Sequence, residues 1–508
     1  MSQSKHLIIV GGGIAGVTCA QSYNYLRPND KITIISQSPL LKSVFNVNKI
    51  SKTLEEFQVK ESNVNDLFNG EKNNNIEIVI SSVTAIDTDK HIVYLDDNVV
   101  NSKSELTFDY LCICSGARPN VIKIENVELQ KYIIGIRDTE TVKDLKERLL
   151  GARRVVIVGN GGIALELVHE ISMCEVIWSI KDNHVGNAFF DSDAASFLYD
   201  SKHLGDGGDQ QTKKDDSSLN LMIVDRSLNG EDLPMSNRSS IGPQWYCKYK
   251  FIGGVDASKI KTNNNGSVDN IGIEYETTVV NLLEGDSEYP VYVLLSNGKK
   301  YGCDFIVSAT GVLTNHDTIR TIPTTSATST LECSNDGYIV NENMMTSVND
   351  VFAAGDVADL SKWPNLSPLW FQMKLWSQAR TMGRYTAQCI AKHTGLPYTD
   401  EISTRFEFEI FAHVTRFFNL KVVMLGLYNG QQQQQQSSKP LTIYHKVKPG
   451  KSYIKITLNQ EGRLIGALLI GETDLEETFE NLMMNQIDLS RFGSDILNSD
   501  VDIEDYFD

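Results

Sequence analysis

The sequence predicts an α/β protein built around parallel sheets, and two short stretches carry that prediction. The first, HLIIVGGGIAGVTCA at 6–20, runs four apolar residues, Leu7–Val10, directly into a glycine turn and a helix-like segment. The second, RVVIVGNGGIALELVHE at 154–170, repeats the arrangement behind Val155–Val158. A short, wholly apolar run is the mark of a parallel strand covered on both faces. Gly11 and Gly159 stand 148 residues apart, about one domain. The chain therefore carries two Rossmann-like strand–turn–helix units, and its 508 residues leave room for a third domain.

Gly11, Gly13 and Gly16 fit the spacing G-x-G-x-x-G. The first makes the tight turn, the second lets the backbone approach a pyrophosphate, and the third lets the helix pack on its strand. The helix N-terminus then offers free N–H groups to phosphate. Gly159, Asn160, Gly161 and Ala164 fit G-x-G-x-x-A, a second dinucleotide site. The pattern calls for an acid at the end of the following strand. After Lys31–Ile35 that place is taken by Ser36, whose hydroxyl either bonds a ribose more weakly or starts a loop. After Ile177–Ile180 it is taken by Lys181 and Asp182, a cation beside an acid, which leaves NADH and NADPH both open. Glu166, two residues past Ala164, reads either as a helical acid favoured by the dipole or as a carboxylate facing a nicotinamide.

The remaining elements follow in order. Ile76–Asp87 and His91–Leu95 alternate like strands of a meander, and Phe108–Pro119 reads as a buried strand ending in Ser115-Gly116. Residues from about 186 to 270 contain polar tracts at 200–220 and 263–265, expected to be a partly disordered insertion, with an aromatic patch QWYCKYKFIGG between them. Tyr289–Leu295 and Tyr301–Val312 return to strand patterning. From about 401, Arg405–Val414, Val422–Tyr428, Leu441–His445, Tyr453–Leu458 and Leu464–Gly471 read as strands of a separate sheet, with a helix over Leu475–Ile487. Gln431–Gln436 is a homopolymer expected in a surface loop.

Composition excludes several classes. Lys plus Arg is 47 against 65 for Asp plus Glu, a net charge of −18, which argues against direct nucleic-acid or anionic-lipid binding. No stretch reaches the roughly 18 apolar residues of a membrane span. The eight cysteines are scattered without zinc spacing, so no metal site is expected. Scattered cysteines, and a start that runs straight into a strand, give the expectation of a cytoplasmic and/or nuclear protein.

Three further motifs, SGARP at 115–119, ATGVLTN at 309–315 and DVFAAGDVA at 350–358, join the two glycine turns in a fixed order. With them the chain resembles the pyridine nucleotide-disulfide oxidoreductases, the flavoproteins with two dinucleotide-binding domains. The resemblance implies FAD and NAD(P)H as cofactors. It implies an FAD-binding domain from 1–125 and 336–400, an NAD(P)H-binding domain from 126–335 that carries the insertion, and a C-terminal α/β domain from 401–508.

By the resemblance, Gly11, Gly13 and Gly16 hold the FAD pyrophosphate, and Ser115, Gly116 and Arg118 close over its adenylate side. Val83 meets the adenine, and Thr310 and Gly311 mark the return crossing. Asp356, after Gly355, binds the ribityl hydroxyls, with a helix opening at Val357 and Ala358. Gly159, Gly161 and Ala164 hold NAD(P)H with Glu166 beside the nicotinamide. Lys42 is either a solvated loop lysine or a partner for Glu166 near the flavin. Trp370, expected on a helix over PLWFQMKLWSQARTMG, either stacks near the ring or is a core tryptophan.

One departure matters. These enzymes place a redox-active cysteine pair after the second strand, where this chain reads SPLLKSVFNVNKISK at 38–52, without cysteine. The expectation is an FAD-dependent NAD(P)H oxidoreductase without a thiol relay, passing electrons to an unknown acceptor and serving in the oxidative stress response. The competing expectation is a redox-sensing switch with little turnover. Partner proteins would be met through the C-terminal domain or the insertion.

Overall fold

The computed structural model describes residues 4–63, 67–68, 75–96, 104–204, 224–226, 251–254, 271–322, 330–395, 405–430 and 441–498. All of the polar tract at 200–220 beyond residue 204, the tract at 263–265, most of the aromatic patch and Gln431–Gln436 lie outside the described residues, while 200–204 end the helix Ser192–Leu204.

The first unit is a five-stranded parallel sheet in the order Val351–Ala353, Tyr110–Ile113, His6–Val10, Lys31–Ser36, Ile76–Ile80. Leu7, Ile8, Ile9 and Leu111 are fully buried because helices and loops cover both faces. The helices Ile14–Leu26 and Trp376–His393 lie together on one side. They approach so closely at Gly383 that a Cβ there would sit 2.3 Å from the Ala15 carbonyl oxygen. Val83–Asp87, Ile92–Leu95 and Glu105–Thr107 form the antiparallel meander, joined by Arg320–Thr321. Ile76–Ile80 is therefore not a meander strand. It is the edge of the parallel sheet, and its half-exposed pattern gave it the look of alternation.

The second unit repeats the design in the order Ile133–Gly135, Phe305–Ser308, Arg154–Val158, Glu175–Ser179, Ile271–Glu274, again all parallel. An antiparallel trio, Val279–Glu284, Val291–Leu295 and Lys300–Cys303, covers it. The start of the expected insertion is ordered: Ala194, Ala195, Phe197 and Leu198 of the helix Ser192–Leu204 are buried in this unit's core. The two chain crossings pair with each other, Ala117–Pro119 antiparallel to Val312–Thr314. The chain regains the first unit at Arg320–Thr321, ahead of the expected boundary at 336, because that strand pairs with Ala85 and Ile86.

The third unit is a six-stranded antiparallel sheet ordered Val224–Arg226, Leu441–Lys448, Ser452–Leu458, Leu464–Gly471, Leu420–Gly426, Ala412–Phe417. The helix Glu476–Met484 packs on it through Phe479, Leu482 and Met483. Arg405–Phe408 is a single 3-10 turn rather than the start of a strand. After the second strand of the first unit, Leu40–Lys49 and Glu55–Asn63 form an antiparallel hairpin. Its tip is fastened to the third unit: the Lys52 and Thr53 amides donate to the Glu480 carboxylate at 2.9 and 2.7 Å.

Candidate functional site

The first glycine turn is built for a close backbone approach. Gly11 sits at φ +122°, and a Cβ there would lie 2.2 Å from the Cys114 carbonyl oxygen. A Cβ at Gly16 would lie 2.0 Å from the Gly11 carbonyl oxygen. Gly13 is different: a Cβ there meets nothing within 4 Å. The helix behind it begins with no side-chain cap and no acid in its first turn. Its first amides and dipole end therefore face an open cradle suited to an anion.

Around this turn stand polar atoms without partners. Ser115 Oγ and Arg137 Nη1 are buried and make no hydrogen bond. The other side of the Arg137 guanidinium pairs with the Asp356 carboxylate, and both side chains are nearly buried. Burial pushes the Arg137 guanidinium down to about 10. Lys374, also buried, donates from Nζ to the Asp356 carbonyl at 2.8 Å and the Asp336 carbonyl at 3.2 Å, and burial lowers it to about 8. Buried polar atoms of this kind are satisfied by a ligand or by water. An uncapped helix end, an unpartnered hydroxyl and a half-used guanidinium beside a carboxylate fit the pyrophosphate and hydroxyls of FAD.

The second turn repeats the first. Gly159 sits at φ +130° with a Cβ position 2.2 Å from the Ala309 carbonyl oxygen, and a Cβ at Gly161 again meets nothing within 4 Å. The helix Gly162–Glu170 is likewise uncapped, and Ala164 is fully buried within it. Beside it opens a cavity of about 420 Å³ lined by Gly159, Asn160, Gly161, Lys181, Asp182, Thr310 and Gly311. Asn160 Nδ2 and Asn187 Nδ2 donate to the Asp182 carboxylate at 2.8 and 3.0 Å, which fixes that acid in the wall. This volume and polarity suit a dinucleotide.

Other expected residues fall as follows. Ser36 ends its strand, buried, and its hydroxyl donates to the Ser38 carbonyl at 2.8 Å. Val83 is buried at the start of its strand. Gly116 sits at φ +67° with open space where a Cβ would be. Arg118 is committed to the return crossing: it forms a two-pronged pair with Asp317 at 2.7 Å and donates to the Thr314 carbonyl. Thr310 Oγ1 donates to the Asn120 carbonyl at 2.6 Å and so ties the two crossings together. Gly355 sits at φ +76°, and Gly355–Val357 is a 3-10 turn followed by the strand Ala358–Asp359, so no helix opens at Val357.

Lys42 donates its amide to the Gly12 carbonyl at 3.0 Å and lays its ammonium over the Trp376 ring, 5.9 Å from the centroid. Glu166 is buried and lines a small separate cleft with His169, Glu170, Arg416 and Phe418. The structure thus brings Lys42 to Trp376 and Glu166 to the third unit's 416–419 turn. Trp370 lies before the helix, which starts only at Trp376, and packs tilted on Phe408 at 5.4 Å. Residues 368–375 are irregular, and within them Lys374 is held inward by the Asp356 and Asp336 carbonyls.

The described cysteines are all free. Cys19 and Cys114 flank Cys112 with sulfur separations of 3.9 and 3.5 Å, all buried, and hydrogen bonding and burial push the Cys112 thiol up. Among the described residues no cluster of His, Cys, Asp or Glu could hold a metal ion, and no helix is long and apolar enough to cross a membrane. Sequence reasoning missed Arg137, Lys374 and the Asp182–Asn187 contact. Arg137 lies 219 residues from Asp356, and no local pattern announces that pairing.

Comparison with known proteins agrees with this geometry. A family model described as pyridine nucleotide-disulphide oxidoreductase matches residues 5–199 and 262–383. A Dictyostelium discoideum protein named pyridine nucleotide-disulfide oxidoreductase domain-containing protein 1 is 47% identical over 99% of this chain and 100% of its own length. The Homo sapiens protein of the same name is 40% identical over 99% and 97%. Among solved structures, the putidaredoxin reductase–putidaredoxin complex superposes with a TM-score of 0.62 at 15% identity, covering 98% of this chain and 97% of that one. The water-forming NADH oxidase from Lactobacillus brevis, bound to NADH, does so at 0.62 and 15%, covering 96% and 92%.

Proposed function

The chain belongs to the pyridine nucleotide-disulphide oxidoreductase family, and from that premise we propose that it is an NAD(P)H oxidoreductase that works without a thiol relay. As a member it is an FAD-dependent oxidoreductase using NAD(P)H. Bound FAD supplies the chemistry, taking a hydride from the nicotinamide and passing the electrons on. The chain supplies binding and electrostatics. Gly11, Gly13 and the uncapped amides behind them hold the FAD pyrophosphate, with Ser115 and Arg137 as donors and Asp356 as acceptor for its hydroxyls. Gly159, Gly161, Lys181 and Asp182 hold the nicotinamide dinucleotide. Lys42, whose ammonium lies over the Trp376 ring, and the N-terminus of the helix Trp376–His393 would favour negative charge on a flavin held beside them.

The observation that carries the reading is the pairing of Gly13 and Gly161, two positions in separate units where an added Cβ meets nothing within 4 Å before an uncapped helix. That no thiol takes part is supported by the hairpin that fills 38–52 and by the burial of Cys19, Cys112 and Cys114. The electrons then leave to an outside acceptor, a quinone, dioxygen or a redox protein, in a role that protects cellular thiols or metal centres from oxidation. The dispersed free cysteines support a reducing compartment, cytoplasm or nucleus. The test is the visible spectrum of the purified protein, then steady-state turnover with quinones. A flavin spectrum that NADH bleaches, with turnover, supports an enzyme. Bleaching without turnover on any acceptor would favour a switch, and absence of flavin binding would overturn both.

A further inference from the structure

The cleft beside the second glycine turn carries two opposed charges, Lys181 and Asp182, just past the strand Glu175–Ser179. The structure treats them differently. The Asp182 carboxylate is fixed through both oxygens: Oδ2 accepts from Asn160 Nδ2 at 2.8 Å and Oδ1 from Asn187 Nδ2 at 3.0 Å. Its backbone is fixed as well. The Glu276 amide donates to the Asp182 carbonyl at 3.1 Å and the Thr277 amide to the Ile180 carbonyl at 2.8 Å. Asn160 is buried, and both polar ends of its side chain are used. Nδ2 also donates to the His184 carbonyl at 2.8 Å, and Oδ1 accepts from the Gly186 amide at 2.5 Å. Asn160 is the variable residue of the glycine turn itself, so turn, acid and the 184–187 loop are tied together. Lys181 is exposed, and its ammonium has no partner among the described residues.

A dinucleotide whose pyrophosphate lies on the amides behind Gly161 continues into its adenosine ribose, which the end of the next strand meets in folds of this kind. Asn160 reaches from the turn to Asp182, so the acid stands one side chain away from the phosphate site. A carboxylate has more acceptor positions than the two that the amides fill, so Asp182 can still accept from a ribose hydroxyl. A 2′-phosphate in the same place has no proton to give and sets negative charge against negative charge. Lys181 is the cation that opposes this, and it alone among the lining residues is positive. It is an exposed point charge on a flexible stem, screened by solvent, and must be ordered before it helps. The carboxylate is ordered already. We propose that the cleft selects NADH over NADPH through Asp182, with Asn160 and Asn187 as the positioning residues that hold the acid for the ribose.

This selection rests on the dinucleotide reading above, and the experiment separates the two. Binding of ADP-ribose and of 2′-phospho-ADP-ribose is measured by calorimetry on the FAD-loaded protein, in which the first cleft is filled. The parent is expected to bind ADP-ribose about 10²-fold more tightly. Asp182→Ala is expected to bring the two within about threefold, a comparison that removes the effect of the chain's overall charge of −18. Asn160→Ala and Asn187→Ala are each expected to cut the preference by about 3–10-fold, chiefly by weakening ADP-ribose. Asn187→Ala leaves the glycine turn untouched, so the test stands even if Asn160→Ala does not fold. In rapid mixing with NADH the variants are expected to need more NADH for half-maximal flavin reduction, with the loss in KM rather than in the limiting rate. Equal or tighter binding of 2′-phospho-ADP-ribose by the parent, or an unchanged preference in Asp182→Ala or in either folded asparagine variant, would overturn the proposal while leaving the dinucleotide site in place. Binding of neither compound to the parent would overturn the dinucleotide reading itself.

Discussion

Replacing Gly13 by Val perturbs the ligand and spares the fold. Gly13 sits at φ −77° and ψ −176°, extended backbone open to any residue, and its Cβ position has no neighbour within 4 Å. Stability of the flavin-free protein is therefore expected to fall by only about 1 kcal/mol, the cost of a β-branched residue at a helix N-cap. The isopropyl group would occupy the space through which phosphate reaches the helix amides. Losing two charge-assisted hydrogen bonds, at about 1.5–3 kcal/mol each, removes about 3–6 kcal/mol, or two to four decades of FAD affinity. Gly16→Ala is the internal contrast. Its Cβ would lie 2.0 Å from the Gly11 carbonyl oxygen, so it is expected to cost about 1–3 kcal/mol or more even without flavin. Denaturant melts of both flavin-free variants and a flavin-fluorescence titration supply the numbers. A Gly13→Val protein that binds FAD at parental affinity, or that unfolds as readily as Gly16→Ala, would refute the reasoning.

Gly161→Val, with the same open space at its Cβ, should keep its flavin and lose bleaching by NADH, since the two turns lie in separate units; loss of flavin from the folded variant would count against it. Arg137→Met leaves the buried Asp356 carboxylate alone and should destabilise the protein by about 3–5 kcal/mol, measured by urea melts, whereas removing both charges together should recover much of that loss. His413 contributes an acid sensitivity. Its ordinary value is 6.5 and its folded value about 4, so below pH 6.5 the unfolded chain takes up a proton that the folded chain refuses. Stability should fall by up to about 3 kcal/mol between pH 6.5 and 4, and His413→Phe should flatten that part of the pH–stability curve.

Both glycine turns were legible because their demands are local. Positive φ at Gly11 and Gly159 and the carbonyl contacts behind them belong to a few consecutive residues and one neighbouring strand. The third unit's sheet was legible through its period-two patterning. What was hidden depends on tertiary position. Ile76–Ile80 alternates because it is an edge strand, so it passed for part of a meander. The apolar run before Trp376 read as helix, although Lys374 is pulled into the interior to hold the Asp356 and Asp336 carbonyls. Arg137 sits beside the Asp138 capping box of the helix Thr139–Leu149, and its sequence context speaks only of that cap. Glu166 occupies the expected place in its motif, yet the structure sets it against the 416–419 turn.

The central claim is a flavin reduced by a nicotinamide with no sulfur behind it, and anaerobic titration of the purified protein with NADH tests it directly. The expected result is full loss of the visible flavin band at one NADH, two electrons, per FAD, followed by a persistent long-wavelength band. Uptake of four electrons per FAD, reverting to two when Cys19, Cys112 or Cys114 is replaced by Ser, would contradict it.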